Sequence, residues 1–298
     1  MPEAAADPVH CLLVNPSAGS GRALKRLPAI RAELDRRGMH HQVVMTTGID
    51  HGCREAAAAA GRGEIPVVVS GDGLIGKVGG VLAGTGSPLG IIPGGRGNDL
   101  ARVVGIPADP VEAVAVLAEG HRRRIDVGEA NGERFLCIAS CGFDSDANRI
   151  ANETKVVSGA LVYAYAALKA LWQWKPARFT VTVDGDETVV TGYSAVVANS
   201  QAYGGGMFVA PQASLDDGLL DVVITGDVPK RRFLSGLPQV FKGTHIERDD
   251  VTTLRGRIVE VAADRPFAVY ADGDELTDLP MRVSLLEGAL ELIAPAAS

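Results

Sequence analysis

The chain has 298 residues, 46% of them hydrophobic, and a formal net charge of -7. This length and apolar content suffice for one large domain or two smaller ones with real cores. The acidic balance argues against a nucleic-acid-binding protein, because no overall surplus of cations exists to displace counterions from phosphates. Four cysteines without a CxxC pair favour buried thiols in a reducing compartment.

No apolar run reaches the ~18 residues that are needed to span a bilayer. Residues 1–7 are acidic in balance and lack the basic start of a signal peptide. The sequence therefore predicts a cytoplasmic protein, attached at most peripherally to the inner face of the membrane.

Strand and helix patterns alternate in the first part of the chain. Apolar and β-branched runs predict strands over residues 10–15, 41–45, 67–70 and 89–92. A predicted helix follows each of these strands. The first runs from Leu24 to Leu34, the second ends at Ala60, the third lies near Lys77–Ala83, and the fourth begins at Asn98. This alternation predicts a doubly wound, mainly parallel sheet, whose ligands bind beyond the carboxyl ends of the strands.

Two of these strands end in glycine-rich loops. Val67–Ser70 leads into Gly71-Asp72-Gly73, and Leu89–Ile92 leads into Pro93–Asp99, which contains three more glycines. Glycine lets the backbone turn sharply and brings N–H groups close to phosphates without a Cβ in the way. The acid between two glycines suits a divalent cation or a water shell better than direct phosphate contact. Either loop alone is typical of an ordinary turn, but the pair predicts a nucleoside triphosphate site.

The pattern changes near residue 128, where strand candidates replace the alternation. Strands are predicted at 134–139, 178–183, 188–198, 219–224, 257–261, 267–270, 282–286 and 290–293, with helices at Val157–Trp172 and Lys230–Lys242. The Asp-Gly pairs at Asp184 and Asp272 are typical of tight hairpin turns. The second part is therefore predicted to be β-rich and sandwich-like.

Several segments resemble, in chain order, the motifs of the diacylglycerol-kinase-like lipid kinases. Asn15-Pro16-Ser17-Ala18-Gly19 resembles the NPxxG loop of that family, Ser70–Leu74 its GGDGT loop and Pro93–Asp99 its PxGTxND loop. Further on, Tyr203–Met207 and Pro211–Asp221 are similar to the YGGGM and DDGLLD runs, and Tyr270–Gly273 to the turn that carries the catalytic Asp. The resemblance extends from about Leu12 to Leu292.

The resemblance implies a nucleotide-binding α/β domain over residues 1–127 and a β-rich, sandwich-like lipid-substrate domain over 128–298, with a cleft between them. The C-terminal tail is expected to pack back on the first domain. The cofactors implied are ATP and Mg²⁺. The partners implied are a diacylglycerol-like lipid and, transiently, a membrane surface; the oligomeric state, a homodimer included, is left open.

The resemblance also implies roles for individual residues. Asp272 is expected to be the general base, with Asp274 as a weaker helper. Nucleotide contacts are expected from Asn15, Pro16, Ser17, Gly19, Thr46, Gly71, Asp72, Gly73, Gly95, Arg96 and Asn98. An acidic cluster of Asp72, Asp99 and Asp126 is expected around Mg²⁺ and its waters. A separate structural Mg²⁺ is expected at Asp217 and the carbonyls of Ser214 and Leu219.

Plainer interpretations of these acids stay open. Asp99 is also typical of the first turn of a helix, and Asp126 of a strand end. Asp217 is also typical of an Asx turn, and Asp272 of a simple hairpin, since Asp184 shows the same local pattern.

The chain departs from the family pattern within both glycine loops. Leu74-Ile75-Gly76-Lys77 stands where the family has Thr-x-Asn-Glu, and Arg96 replaces the usual threonine. Lys77 and Arg96 could supply positive charge to phosphates, Arg in a bidentate manner. Altered nucleotide use or lost catalysis is the competing interpretation.

The predicted function is ATP- and Mg²⁺-dependent phosphorylation of a hydroxyl of diacylglycerol or a related lipid. One alternative is an NAD-kinase-like enzyme, since that family also uses a GGDGT loop, although the YGGGM and DDGLLD runs favour the lipid family. The other alternative is a catalytically weak homologue that binds nucleotide or lipid.

Two segments are candidates for membrane contact. Trp172-Gln173-Trp174-Lys175 places aromatic residues beside a cation, and Lys230–Leu237 joins a basic cluster to an apolar face. Such segments are more often helix core with a solvated basic end.

Overall fold

The structure is a computed structural model that describes residues 8–143, 145–147, 150 and 169–296. Two expectations lie wholly or mostly outside the described residues: the acidic segment 1–7 and the helix predicted at Val157–Trp172, of which residues 169–172 are described and helical. The described chain divides into two compact units. Unit 1 takes the residues up to Val127, Gly204–Gly206 and those from Leu286 on, and unit 2 takes Gly128–Tyr203 and Met207–Leu285.

Unit 1 is built on a parallel sheet flanked by helices. Its strands are β1 (His10–Val14), β2 (His41–Met45), β3 (Ile65–Ser70) and β4 (Pro88–Pro93). Its helices are α1 (Arg22–Arg36), α2 (Ile49–Gly61), α3 (Asp72–Leu82), α4 (Asp99–Val103) and α5 (Ala113–Glu119). The strand order is β2-β1-β3-β4, and the end of β15 (Met281–Ile293) adds in parallel beside β4. β1, β3 and β4 are buried along their whole length, as expected of parallel strands covered on both faces.

The register of unit 1 brings the loops after three strands to one edge of the sheet. Val14 at the end of β1 lies beside Val69 of β3, and Ser70 lies beside Pro93 at the end of β4. The loops that follow these strands therefore start side by side, where ligands of such sheets bind.

Unit 2 is mainly antiparallel. β5 (Arg122–Ala130) leads into it, followed by β6 (Glu133–Phe135), β7 (Ile138–Gly142), β8 (Ala177–Val183), β9 (Asp186–Ala198), β10 (Leu220–Gly226), β11 (Val251–Gly256), β12 (Val259–Ala263), β13 (Ala268–Ala271), β14 (Asp274–Asp278) and the start of β15. The helix α6 (Lys230–Val240) and a 3₁₀ helix, Thr244–Glu247, lie between β10 and β11 in the chain.

The long strand β9 joins the two parts of the unit 2 sheet. Its first half pairs with β8 as far as Gly192, and its second half, from Ser194, pairs with β7 and β10. A Cβ at Gly192 would lie 2.1 Å from the carbonyl oxygen of Thr225, so only glycine allows β10 to approach this closely.

The core of unit 2 corrects one prediction about membrane contact. Trp174 is only 4% exposed, stacks on Tyr193 at 5.9 Å between ring centroids, and carries the Arg265 guanidinium 4.8 Å from its own centroid. Trp174 is therefore a core residue and not an interfacial aromatic. Trp172, by contrast, is 85% exposed. No helix among the described residues is long and apolar enough to cross a membrane.

Several elements differ from those predicted. The segment predicted as one strand over 134–139 is split between β6 and β7, and the two segments predicted at 282–286 and 290–293 form the single strand β15. α3 begins at Asp72 rather than near Lys77, and the prediction omitted α5, β5, β11 and β14. The parallel sheet of unit 1 and the β-rich character of unit 2 agree with the sequence.

Candidate active site

The three loops after β1, β3 and β4 contact one another through their backbones. A Cβ added to Gly95 would lie 2.4 Å from the Cα of Gly71, and one added to Gly19 would lie 2.4 Å from the carbonyl oxygen of Gly94. Gly19 also has a φ of +58°, which side chains disfavour. The glycines are therefore needed for the three loops to meet.

Two asparagines shape these loops. The side-chain oxygen of Asn15 accepts hydrogen bonds from the N–H of Ser17 at 3.1 Å and from its hydroxyl at 2.8 Å. Asn98 has a φ of +52°, and its side-chain oxygen accepts the N–H of Gly95 at 2.9 Å. Both side chains thus hold a turn, while their predicted contact with a nucleotide stays a prediction.

Positive charge lies at the surface of the same loops. Arg96 is exposed, and its guanidinium donates to the hydroxyl of Ser20 at 3.0 Å. Arg22 is also exposed and approaches the carbonyl of Gly95 at 3.4 Å. α3 begins at Asp72 with no side chain capping its first N–H groups. Exposed guanidinium groups beside a helix N-terminus and glycine N–H groups form a favourable environment for phosphates.

Thr46 follows β2 at the same edge of the sheet, because Met45 pairs with Val14 at the end of β1. It is 4% exposed, and its hydroxyl donates to the carbonyl of Val14 at 3.2 Å. Its predicted contact with the nucleotide stays a prediction.

Asp72 and Asp99 are adjacent, and backbone N–H groups occupy their oxygens. The N–H of Asp99 donates to Asp72 at 2.6 Å, while the Asp99 carboxylate accepts from Gly205 at 2.9 Å and from Gly206 at 2.7 Å. Burial raises the pKa of Asp72, and the charge of Asp99 raises it further, although backbone hydrogen bonds oppose the shift. The contact between Asp99 and the glycines of the YGGGM run was not predicted from the sequence. Three successive glycines, whose backbone N–H groups need hydrogen-bond acceptors, are the sequence feature that indicates such a contact.

The predicted trio of metal-binding acids is not assembled. Asp126 is 3% exposed and accepts the N–H of Gly288 at 2.7 Å. Among the described residues, no group of three or more His, Cys, Asp or Glu side chains could hold a metal ion. The oxygens of Asp72 and Asp99 accept backbone N–H groups, and the predicted role of these two acids around Mg²⁺ and its waters stays a prediction.

The second predicted metal site contains a cation of its own. The Asp217 carboxylate accepts the N–H of Leu219 at 3.0 Å through one oxygen and pairs with the Arg255 guanidinium through the other. Arg255 also approaches Asp221 at 3.4 Å, and the hydroxyl of Ser214 donates to Asp216 at 2.7 Å. Burial raises the pKa of Asp221, and the charge of Arg255 opposes this. Arg255 thus supplies a positive charge at Asp217, and the predicted binding of Mg²⁺ by Asp217 with the carbonyls of Ser214 and Leu219 stays a prediction.

This arrangement predicts that a chelator leaves the thermal stability of the protein unchanged. Arg255→Leu should lower Tm by about 2–4 °C, because a partly exposed ion pair contributes up to about 1 kcal/mol. Added Mg²⁺ should then raise the Tm of that variant, since Asp217 and Asp221 would lack a cation. Arg178→Leu, on the exposed face of β8, is the matched control. A fall in the native Tm on adding EDTA, with no effect of Arg255→Leu, would restore the metal site.

Asp272 lies in a hairpin turn, and backbone N–H groups hold its carboxylate. It has a φ of +52°, and its two oxygens accept the N–H groups of Leu136 at 2.7 Å and Cys137 at 2.9 Å. Asp184 has a φ of +51° and accepts the N–H groups of Arg257 at 3.0 Å and Ile258 at 2.9 Å, which lower its pKa. The two turns are built alike, so local geometry does not assign the base, and the role of Asp272 stays a prediction.

Comparison with known proteins places the chain in a family. Residues 10–130 match the model of the diacylglycerol kinase catalytic domain, and residues 137–294 match the YegS C-terminal NAD kinase beta sandwich-like domain. A diacylglycerol kinase of Mycobacterium tuberculosis is 37% identical over 95% of this chain and 94% of its own length. A Pseudomonas aeruginosa protein named "Probable lipid kinase YegS-like" is 34% identical over 82% of this chain and 80% of its own.

The fold is shared with a solved structure. The crystal structure of a diacylglycerol kinase from Bacillus anthracis superposes with a TM-score of 0.75 over 99% of both chains, at 22% sequence identity. Fold and motifs thus define a kinase of the lipid-phosphorylating class. The chain belongs to the diacylglycerol kinase family, which includes the YegS-like lipid kinases, and the resemblance identified from its motifs is confirmed.

Proposed function

We propose that this lipid kinase transfers the γ-phosphate of ATP to a hydroxyl of diacylglycerol or a closely related lipid. The observation that carries the proposal is the backbone-to-backbone packing of the three loops after β1, β3 and β4, with exposed arginines at their surface. The names of the relatives support diacylglycerol as the lipid.

The loops of unit 1 are proposed to bind the phosphates. Phosphoryl transfer depends chiefly on positioning the phosphates and on offsetting the charge that develops on them. N–H groups of Gly71 and Gly73 would donate to phosphate oxygens, and Arg96 would add a charged donor. Gly95 would contribute close approach of the backbone, because its N–H already donates to Asn98. Mg²⁺, bound together with the nucleotide, would neutralise part of the phosphate charge.

Asp272 is proposed to accept the proton of the lipid hydroxyl. The N–H groups of Leu136 and Cys137 fix the orientation of its carboxylate, which a general base requires. Asp274, two residues further at the start of β14, is the proposed helper.

Peripheral contact with a membrane is proposed for the surface around Trp172 and α6. The ammonium group of Lys230 donates to the carbonyl of Trp172 at 2.7 Å, so these two residues are neighbours. Leu234 and Leu237 of the same helix are 40% and 37% exposed. Exposed apolar side chains beside cations are typical of helices that lie in the membrane interface.

The test is phosphate transfer from γ-labelled ATP to a panel of acceptors in mixed micelles. The panel contains diacylglycerol, monoacylglycerol, sphingosine, ceramide and, in solution, NAD. We expect label in diacylglycerol. Label in NAD alone would favour the NAD-kinase-like alternative, and label in none would favour a catalytically weak homologue.

A further inference from the structure

The N–H groups that hold Asp272 belong to a buried segment of unit 2. Leu136 and Cys137 lie between β6 and β7 and are both buried. Their N–H groups donate to the two oxygens of the Asp272 carboxylate, and Asp272 itself is half-buried. The carboxylate is therefore oriented by backbone that solvent does not reach, while Asp272 keeps a partly accessible surface.

The strand order explains why these residues meet. In the unit 2 sheet, β7 lies between β13 and β9 and is antiparallel to both. The start of β7 consequently lies beside the ends of its two neighbours. Asp272 follows the last residue of β13, and Asn199 follows the last residue of β9. The segment before β7 thus has the proposed base on one side and Asn199 on the other.

Asn199 holds the segment from the side opposite Asp272. Its side chain is fully buried, and the amide nitrogen donates to the carbonyl of Leu136 at 2.8 Å. Its backbone N–H donates to the carbonyl of Cys137 at 2.9 Å. A carbonyl oxygen only accepts, so the side-chain atom that faces Leu136 must be the nitrogen. The two residues whose N–H groups donate to Asp272 are therefore both anchored, through their carbonyls, on Asn199.

One peptide group connects the side chain of Asn199 with Asp272. The carbonyl of Leu136 and the N–H of Cys137 belong to the same planar unit. Asn199 donates to one end of that unit, and Asp272 accepts from the other end. Rotation of the peptide plane would weaken both hydrogen bonds, and donation to the carbonyl strengthens the N–H as a donor. The orientation of the Asp272 carboxylate thus depends on a side chain that it does not touch.

Asp184, whose turn is built like that of Asp272, is held by a different kind of segment. Its N–H donors come from Arg257 and Ile258, which are both exposed. Buried and hydrogen-bonded polar networks make a segment rigid, whereas exposed backbone is more mobile. The two acids that local geometry does not distinguish therefore differ in the rigidity of their support, and a general base needs a fixed position.

We propose that Asn199 is a positioning residue for phosphoryl transfer, acting through the peptide group between Leu136 and Cys137 to orient Asp272. The inference rests on the proposed function, in which Asp272 accepts the proton of the lipid hydroxyl. Because Asn199 is fully buried, its side chain supports the base and does not contact the lipid or the nucleotide.

Steady-state kinetics of Asn199→Ala tests this role. We expect kcat to fall by about tenfold or more, since a misplaced catalytic group costs up to about 10²-fold, while KM for ATP and for diacylglycerol changes by less than about twofold. A carboxylate that loses an N–H donor also holds its proton more tightly, so the acid limb of the pH profile of kcat should move to higher pH.

Ser200→Ala is the matched control. Ser200 is as fully buried as Asn199, and its hydroxyl has no hydrogen-bond partner among the described residues. The substitution retains the backbone N–H of residue 200, which donates to the carbonyl of Cys137 at 3.1 Å. It should leave kcat and its pH profile as in the native protein.

A double-mutant cycle with Asp272→Asn separates positioning of the base from a general structural role. If Asn199 acts through Asp272, adding Asn199→Ala to Asp272→Asn should lower kcat by less than about twofold more. Rates are measured with γ-labelled ATP and diacylglycerol in mixed micelles, and circular dichroism verifies folding. Asn199→Ser, whose hydroxyl still offers a donor and should cost less in kcat, replaces the alanine variant in the cycle if that variant unfolds.

The outcomes keep this inference apart from the proposed function. An equal factor in both backgrounds, an unmoved pH profile, or an equal loss in Ser200→Ala would overturn the role of Asn199. Native turnover that Asn199→Ala leaves unchanged would reject that role and keep the proposed function. Absence of phosphate transfer by the native protein would reject the proposed function, and the role of Asn199 with it.

Discussion

Asp272→Asn is expected to lower turnover by about 10²–10⁴-fold while nucleotide affinity stays near that of the native enzyme. An amide has the shape of the carboxylate and retains one oxygen to accept an N–H group, but it cannot take the proton of an alcohol. The hairpin should persist, because Asn tolerates the φ of +52° at this position and Asn-Gly favours tight turns. Steady-state kinetics with the preferred lipid measures the loss, and calorimetric titration measures the nucleotide affinity.

Asp184→Asn is the control that the chain itself provides. Like Asp272, Asp184 has a left-handed backbone conformation, is followed by a glycine, and accepts two backbone N–H groups. Both substitutions should therefore lower Tm by similar small amounts, and only Asp272→Asn should affect turnover. An equal loss of turnover in the two variants would point to hairpin disturbance. A loss below about tenfold for Asp272→Asn would assign the base elsewhere.

The sequence predicted best those strands whose own amino-acid composition favours a strand. β1, β3 and β4 are short runs that end at loop residues. Because these strands are buried along their whole length, their apolar residues are continuous in the sequence. β5 begins with three successive arginines, and β15 continues through Gly288, which has a φ of +55°. Such strands depend on partners far away in the chain, because strand propensity is largely a matter of context.

The start of α3 likewise could not be predicted from the local sequence. Gly73 and Gly76 lie inside the helix, and each disfavours it by about 1 kcal/mol relative to alanine. The sequence alone therefore predicted a later start near Lys77. The packing of Gly71 on Gly95, residues of different loops, accompanies the earlier start.

The candidate site was predictable in its loops but not in its connections. Glycines and strand ends indicated which segments would meet. Nothing local connects Asp99 with Gly205, which lies 106 residues away, or Asp217 with Arg255. These two contacts change the interpretation of the acids, because a carboxylate that satisfies N–H groups or a guanidinium differs from a bare metal ligand.

Arg96→Ala is expected to weaken nucleotide binding by about ten- to hundredfold. A hydrogen bond to a charged group contributes roughly 1.5–3 kcal/mol, which corresponds to that range of affinity. The side chain is exposed, and its bond to the hydroxyl of Ser20 directs it along the loops that are proposed to hold the phosphates. Arg96→Thr, which supplies the hydroxyl found in the family pattern, should recover part of the loss.

Isothermal titration with a non-hydrolysable ATP analogue decides the role of Arg96. Arg31→Ala removes another exposed arginine, on α1, and should change the dissociation constant by less than about threefold. A phosphate contact also predicts that added salt weakens binding to the native protein more than to Arg96→Ala, because salt screens an exposed charge pair. Equal dissociation constants for the native, alanine and threonine proteins would mean that Arg96 only joins two loops through Ser20. Phosphate binding would then depend on the glycine N–H groups alone.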